Sequence, residues 1–252
     1  YFVYWVSGSN VSGTYINNTA ERNGGANNFN LGVSGSNIGG TYTNNKAEWN
    51  GGANRFGSVS GSNISGTYTN NKANGRNDLC GGGANYFVNG VSGSNISGTY
   101  INNTATNDGG ANNFGTVSTA NISGTYINNK AERNGGANYF FDSVSGSNIA
   151  GIYINNTASS VAIIYFMVYY STILTNVTIE NAIFLNNKYN ENMGVIFAGK
   201  TGVVAKNNWF GNNATNYKTQ PKTTGIQMDS WLFLNGTNNQ NDIKFFLMRY
   251  DG

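Results

Sequence analysis

The stretch that decides the fold is Thr41–Asn54, TYTNNKAEWNGGAN. Nearly the same sequence recurs at Thr14–Asn27 (TYINNTAERNGGAN) and at Thr125–Asn138 (TYINNKAERNGGAN). The second residue of each copy is aromatic and is followed two and three positions later by Asn-Asn. A chain that repeats itself at a fixed interval builds one structural unit per repeat and stacks the units on one another. The first question is therefore which unit this repeat encodes.

Three columns of equivalent residues define the repeat. The aromatic anchor occurs at Tyr15, Tyr42, Tyr68, Tyr100, Tyr126, Tyr153, Phe184 and Phe210. The second Asn after each anchor gives Asn18, Asn45, Asn71, Asn103, Asn129, Asn156, Asn187 and Asn213. A Gly-Gly-Ala block follows, whose first glycines are Gly24, Gly51, Gly82, Gly109 and Gly135. The anchors are 26 or 27 residues apart, except for intervals of 32 before Tyr100 and 31 before Phe184.

The composition of the repeat favours strands over helices. Thr, Ile, Tyr, Asn and Gly dominate it, and all are poor or middling helix formers. In NISGTYINN (Asn95–Asn103), Ile, Gly and Tyr alternate with Ser, Thr and Ile, which is typical of strands. The sequence therefore predicts an all-β chain: a right-handed parallel β-helix, or β-solenoid, of about eight coils of 26–27 residues with a C-terminal β cap.

Stacked coils place each residue above its own copy, so the columns have structural roles. We expect the anchors to form a stacked aromatic core, and the second Asn column to form a ladder of side-chain amides that satisfies buried polar groups. We expect the first glycines of the Gly-Gly-Ala blocks to form sharp corners where φ is positive.

The repeat also divides the chain. Residues 1–215 are predicted to form the β-helix, with insertions near 74–82 and 159–180. Residues 216–252 hold the only proline, Pro221, and are predicted to form a C-terminal cap or the start of a following β domain. The longest apolar run, Val161–Leu174, is too short for a membrane-spanning helix, so core strands are expected there.

Composition argues against several classes of function. The net charge is +3, no basic cluster is present, and nucleic acid is not an expected partner. His is absent and Cys80 is the single cysteine, so neither a disulfide within the chain nor a Cys/His metal site is expected, and no cofactor is predicted.

The order of the motifs resembles a family of surface proteins. The pattern Y-x-N-N-x-A-x-x-x-G-G-A is similar to the GGAI and FxxN repeats of polymorphic outer-membrane proteins. It is closer to adhesin-like proteins of methanogenic archaea, whose last coil and following strand resemble NNWFGNN (Asn207–Asn213) and SWLFLNG (Ser230–Gly236). Here Tyr replaces the usual anchor Phe in six coils, and Asn replaces the apolar residue after Gly-Gly-Ala. The resemblance implies an extracellular protein, attached to the cell surface through parts not present in this chain.

Three functions follow as expectations. The first is an adhesin-like stalk or binding module, which is no enzyme and which contacts polysaccharide or cell-surface glycans through a rigid repetitive face. The second is a structural subunit of a filament, wall or sheath, whose partners are copies of itself or other surface proteins. The third is a polysaccharide lyase or hydrolase. Glycoside hydrolysis needs two nearby carboxylates, but Glu48 and Glu132 follow Lys46 and Lys130 and are expected to form a solvated charged corner.

Four further residues are candidates for surface roles. Trp49 and Arg55 stand where other repeats carry Arg, Asn or Gly, so the core does not require them, and both are possible ligand contacts. Asn176 and Asn235 begin N-x-[ST] sequons outside the strict repeat and are possible glycosylation sites.

Overall fold

The chain is a parallel β-helix, as predicted. A computed structural model describes residues 4–75, 81–167, 169, 171–213, 218, 220–239 and 242–251; side chains are described for these except residues 212, 213, 236–239 and 242–245. The secondary structure of the described residues consists of strands, bridges, turns and bends, with no helix. The strands stack as about eight coils.

Four sheets, which we name A to D in the order that each coil visits them, run along the rod. Sheet A contains Val6–Ser7, Asn27–Ser34, Asn54–Ser60, Asn85–Ser92, Asn112–Ser118, Asn138–Phe140, Val144–Ser145, Ile164–Phe166, Leu174–Thr175, Ile196–Ala198 and Thr223–Thr224. Sheet B contains Asn10–Val11, Asn37–Ile38, Asn63–Ile64, Asn95–Ile96, Asn121–Ile122, Asn148–Ile149, Val177–Glu180, Val203–Lys206 and Ile226–Met228.

The other two sheets complete the coil. Sheet C contains Thr14–Ile16, Thr41–Thr43, Thr67–Thr69, Thr99–Ile101, Thr125–Ile127, Ile152–Ile154, Ile183–Leu185, Asn208–Asn213, Trp231–Asn239 and Asp242–Tyr250. Sheet D contains Thr19–Ala20, Lys46–Ala47, Lys72–Ala73, Thr104–Ala105, Lys130–Ala131 and Thr157–Ala158. The stretch Asn95–Asn103 is thus two short strands, one in sheet B and one in sheet C, that meet at a corner.

Register is set by the repeat, because each residue pairs with its own copy. Tyr68 pairs in parallel with Tyr100, and Asn63 pairs with Asn95. The longer coils keep this register, since the 32-residue interval still returns to the same partners. The interval between repeats in the sequence therefore determines which residues stack on one another in space.

The predicted Asn ladder is present inside the coils. The Nδ2 atom of Asn71 donates to Oδ1 of Asn103 at 3.0 Å, and Asn103 donates to Asn129 at the same distance. From Asn45 to Asn187 each ladder amide also donates to a main-chain oxygen, as Asn103 does to Tyr68 at 2.9 Å. Such bonds link the column from Asn18 to Asn187; the side chain of Asn213 lies outside the described ones. A buried amide that would otherwise be costly is thereby satisfied.

Two aromatic columns fill the core. The eight anchors stack from Tyr15 to Phe210 with ring centroids 4.7–5.1 Å apart. A second stack runs from Phe29 to Phe166 at 4.7–5.0 Å. Both spacings match the separation of adjacent strands in a sheet, so the stacking follows directly from the coil repeat.

The two departures from the resembled family are physically linked. The Asn residues after Gly-Gly-Ala form a second buried ladder of 3.0–3.1 Å bonds from Asn27 to Asn138. This ladder lies beside the hydroxyls of the anchor tyrosines, and Asn138 donates to Tyr153 at 3.3 Å. In the next coil Ile164 replaces Asn and the anchor is Phe184. The tyrosine hydroxyl and the buried asparagine amide are therefore replaced together by apolar groups.

Corners use residues that tolerate positive φ. Gly109 has φ of +70°, and a Cβ there would lie 2.4 Å from the main-chain oxygen of Asn112. The other four predicted corner glycines, Gly24, Gly51, Gly82 and Gly135, have φ between +60° and +72°. In the first seven Asn-Asn pairs the first Asn also has positive φ, as at Asn102 (+54°), a conformation that Asn adopts more readily than most residues.

The irregular segments lie at defined places. Residues 76–80 of the first insertion, including Cys80, fall outside the described residues. The extra residues of the second lie between strands Ile164–Phe166 and Leu174–Thr175. At the C-terminal end, Trp231–Asn239 pairs in parallel with Asn208–Asn213 and in antiparallel fashion with Asp242–Tyr250, so that sheet C ends in a hairpin.

Candidate functional site

Each sheet presents its own chemistry to solvent, because every outward position is repeated in successive coils. Sheet D and the turn after it are charged. Lys46 forms an ion pair with Glu48 at 2.6 Å, and Lys130 lies 3.8 Å from Glu132. Asn74 donates to the second oxygen of Glu48 at 2.9 Å. These carboxylates have the lysine partners that the sequence predicted.

The outward face of sheet A is aromatic and largely covered. Tyr86 stacks on Phe141 with ring centroids 6.0 Å apart, and Tyr139 stacks on Tyr165 at 5.4 Å. Tyr86 and Tyr139 are both buried. This cluster is an external extension of the core rather than an open surface for a large ligand.

Sheet C presents Thr and Ile in two columns. Thr67 pairs with Thr41 and Thr99, while Thr69 pairs with Thr43 and Ile101. Neither column carries a charged residue from Thr14 to Ile154. The face is regular, but the described cavities do not lie on it.

Sheet B presents side-chain amides along a groove, which we name the sheet B groove. Asn37 donates to Asn10 at 2.8 Å, and three more bonds of 2.9–3.1 Å extend this exposed ladder through Asn63 and Asn95 to Asn121. The inward neighbours in the same strands are core residues such as Ile38 and Ile64. The core therefore fixes the position of each exposed amide.

Three concavities lie along this one sheet. The first, of about 540 Å³, follows the exposed ladder and is also lined by Ser65 and Ser97. The second, of about 490 Å³, lies where the ladder ends, beside Asn148. The third, of about 400 Å³, lies at Val204 and Ile226. Volumes of this size are typical of ligand sites.

Charge enters the groove only toward its C-terminal end in the described part of sheet B. Glu180 and Lys206 are neighbours in adjacent strands, and their side chains form an ion pair of 2.7 Å. Elsewhere the groove is lined by amides, hydroxyls, backbone and apolar side chains such as Val204 and Ile226. Among the described residues, no group of three or more His, Cys, Asp or Glu side chains could hold a metal ion. The groove can therefore donate and accept many hydrogen bonds at fixed positions.

The two predicted ligand contacts lie elsewhere. Trp49 follows sheet D and is partly buried, and the Arg22 guanidinium lies 5.3 Å from the centre of its ring. Arg55 lies on the outward face of sheet A, where Nη1 donates to Oδ1 of Asn30 at 3.0 Å and to Oδ1 of Asn28 at 3.4 Å. The structure brings neither residue into the sheet B groove, and their role in binding stays a prediction.

The two predicted glycosylation sites differ in setting. Asn176 is exposed, with φ of +52°, at a corner where earlier coils have Gly, and its side chain borders two of the groove concavities. Asn235 lies in strand Trp231–Asn239 and is partly buried. Attachment of glycan at either residue stays a prediction.

Sequence reasoning did not identify the groove, although its signal is present. The Asn residues of the exposed ladder precede Ile or Val in every regular coil, as in GSNIS. Four of them, Asn10, Asn63, Asn95 and Asn121, also begin N-x-[ST] sequons. Their outward direction follows from the burial of the next residue, and this could have been inferred from the alternation alone.

Comparison with known proteins adds no family assignment. The fold and groove define the chain as a parallel β-helix repeat protein with an amide-lined face. No family model, no curated protein and no solved structure matches it. The resemblance to adhesin-like surface proteins therefore stays a prediction from the motifs. No helix among the described residues is long and apolar enough to cross a membrane.

Proposed function

We propose that this chain is an adhesin-like binding module of an extracellular, cell-surface protein. It holds polysaccharide or cell-surface glycans in the sheet B groove and does not cleave them. The observation that carries the proposal is the exposed amide ladder from Asn10 to Asn121, which repeats one hydrogen-bonding group in five successive coils.

The chemistry of the ladder suits sugars. An amide presents one acceptor and two donors, and a hydroxyl is also both donor and acceptor. Within the ladder each amide uses one donor and one acceptor site on its neighbours, so further capacity faces solvent. A polymer with repeated hydroxyls engages several coils at once, and its weak contacts add through multivalency.

The direct test is retention on a panel of immobilised wall and host polysaccharides, measured together with release of new sugar ends. The groove variant is Asn63→Ala with Asn95→Ala, and the matched control is Thr67→Ala with Thr99→Ala in sheet C of the same coils. We expect retention without release, weakened by the groove variant and unchanged in the control. An equal loss of retention in both variants would show that the sheet B groove is not the binding surface.

The release measurement also tests the enzymatic alternative. An enzyme would liberate new ends and would lose this activity when a catalytic carboxylate, for example Glu48, is changed to Gln without loss of the fold. Glu48 has a lysine and an asparagine as partners, so we expect no release from the wild-type chain.

One observation favours the second candidate, a structural subunit. Strand Asp242–Tyr250 is hydrogen-bonded to a described strand on one side only, and its Phe246, Leu247 and Met248 side chains are 43–58% exposed. An apolar edge strand can pair with another chain. Self-association that Leu247→Lys abolishes, without any retention on glycans, would favour this role over the adhesin.

A further inference from the structure

The exposed ladder of sheet B stops abruptly after Asn121. Its next member in register is Asn148, which pairs with Asn121 in the sheet. Every amide from Asn37 to Asn121 donates to the coil before it, but no such bond joins Asn148 to Asn121 among the described residues. The Oδ1 atom of Asn148 is instead buried without a hydrogen-bond partner.

The next coil explains why Oδ1 of Asn148 accepts no bond from a ladder amide. In the next coil Thr178 stands opposite Asn148, so the position that holds Asn in the regular coils now holds a shorter hydroxyl side chain. The inward residues Val177 and Ile179 stay in the core, which keeps Thr178 and Glu180 on the outward face. The break is therefore built into the backbone register.

The break coincides with a concavity of about 490 Å³ whose lining includes Asn121, Asn148, Asn176, Thr178, Glu180 and Lys206. A buried acceptor without a partner destabilises a protein, and such groups are few in native structures. Asn148 is only partly buried and lines the concavity, so its side chain can turn toward a ligand, and a donor that meets the oxygen there would recover that loss. The orphaned oxygen thus indicates a ligand group that donates a hydrogen bond.

The charges beside it narrow the ligand class. Glu180 accepts hydrogen bonds, whereas Lys206 and the amide nitrogens donate them, and the two charges form a 2.7 Å ion pair. An anion has no proton for the Asn148 oxygen and is repelled by Glu180. A cation is repelled by Lys206. A neutral group that both donates and accepts suits all of these partners.

We propose that this concavity is a subsite for a neutral hexopyranose with adjacent hydroxyl groups. One hydroxyl donates to Oδ1 of Asn148, and its neighbour bridges Glu180 and Lys206. The inference rests on the proposed glycan binding and adds to it a defined subsite at the end of the groove. It also assigns Asn176 to the rim of that subsite, where an attached glycan would cover it.

The test is a titration of the unglycosylated chain with methyl hexopyranosides, followed by the side-chain amide NMR signals of Asn121 and Asn148. A methyl uronoside is the charged comparison. We expect saturable shifts with the neutral sugar and weaker shifts with the uronate. Absence of shifts with the neutral sugar, or stronger binding of the uronate, would overturn the proposal.

Variants separate binding from a purely structural role. Asn148→Leu keeps similar volume and removes the orphaned oxygen, so we expect affinity to fall about tenfold while the urea midpoint stays equal or rises. Thr99→Val, in sheet C and outside the groove, should leave the titration unchanged. Glu180→Gln, which keeps the shape of the side chain, should also weaken binding. A lower urea midpoint for Asn148→Leu with unchanged affinity would make Asn148 a structural residue.

The same variants distinguish this proposal from the general one. If Asn148→Leu and the wild type bind the methyl hexopyranoside equally, the subsite is refuted, even when the rod is still retained on polysaccharide. If the wild type binds the monosaccharide but no polysaccharide retains it, the subsite stands and the adhesin proposal fails.

Discussion

Burial, rather than hydrogen bonding as such, should decide what each asparagine ladder contributes to stability. Asn103 and Asn95 lie eight residues apart in the same coil, and both form side-chain bonds to the coils on either side. Asn103 is fully buried, whereas Asn95 is exposed. Changing each to Ala therefore compares the same chemistry in two environments.

The magnitude follows from the groups that lose a partner. Asn103→Ala removes bonds to Asn129 and Tyr68, and it removes the acceptor that serves both the main-chain and side-chain nitrogens of Asn71. Buried groups left unsatisfied cost about 1–3 kcal/mol each. With the main-chain nitrogen of Asn71 and the oxygen of Tyr68 losing these bonds, we expect a loss of about 4 kcal/mol. Asn95→Ala exposes its partners to water and should change stability by less than about 0.5 kcal/mol.

Urea unfolding followed by circular dichroism measures both changes. With a slope of about 3 kcal/mol per molar for a chain of this size, Asn103→Ala should lower the midpoint by roughly 1 M, and Asn95→Ala should leave it in place. Similar shifts for the two variants would refute the reasoning, because they would show that exposure of the ladder has no bearing on its energy.

Three other outcomes follow from the core and its corners. Burial raises the pKa of the five fully buried anchor tyrosines, so they resist ionisation in the folded chain. Their contribution to the free energy of unfolding is fully present below a pH of about 10, the pKa of tyrosine in the unfolded chain. Above that pH the contribution falls by about 1.4 kcal/mol per pH unit for each tyrosine. The phenolate absorbance of these five buried tyrosines and the circular dichroism should therefore change together above a pH of about 10, and ionisation of the five without a change in circular dichroism would contradict this. Tyr126→Phe removes a 3.1 Å bond to the oxygen of Ser123; it should cost about 1 kcal/mol at neutral pH and make the alkaline transition less steep, which parallel urea and pH titrations would check. Gly110→Ala would place Cβ 2.1 Å from the oxygen of Gly136 and should abolish soluble folding, whereas Gly93→Asn, at an open position with φ of +53°, should leave the thermal midpoint within a few degrees.

Much of the fold could be predicted from the sequence because most contacts in a solenoid join a residue to its own copy. The interval alone then places Tyr100 on Tyr68 and Asn103 on Asn71. The link between anchor hydroxyls and the second Asn ladder was equally accessible, since Tyr gives way to Phe184 in the coil where Ile164 replaces Asn. It was missed because each column was considered separately.

The candidate site was harder to predict, since it depends on where the repeat fails. Asn148 ends the same Gly-Ser-Asn motif as most of its copies in earlier coils, and nothing in its own coil distinguishes it from them. Its unpartnered oxygen faces a coil in which Thr178 stands where the earlier coils carry Asn. Where two adjacent coils differ in sequence, their contacts depend on tertiary packing. Such contacts cannot be predicted from the repeat pattern alone.

The direction of the backbone hydrogen bonds has a mechanical consequence. Bonds such as Thr99 N–H to the oxygen of Gly66 point from one coil to the next, so they lie along the rod. Tension spread across a whole coil loads all bonds of that interface in parallel, and none yields before the others. Tension applied through a single strand at one end instead opens them in succession. A β-helix of this construction is therefore strong when its load enters through a broad docked surface and weak when it enters through a single strand.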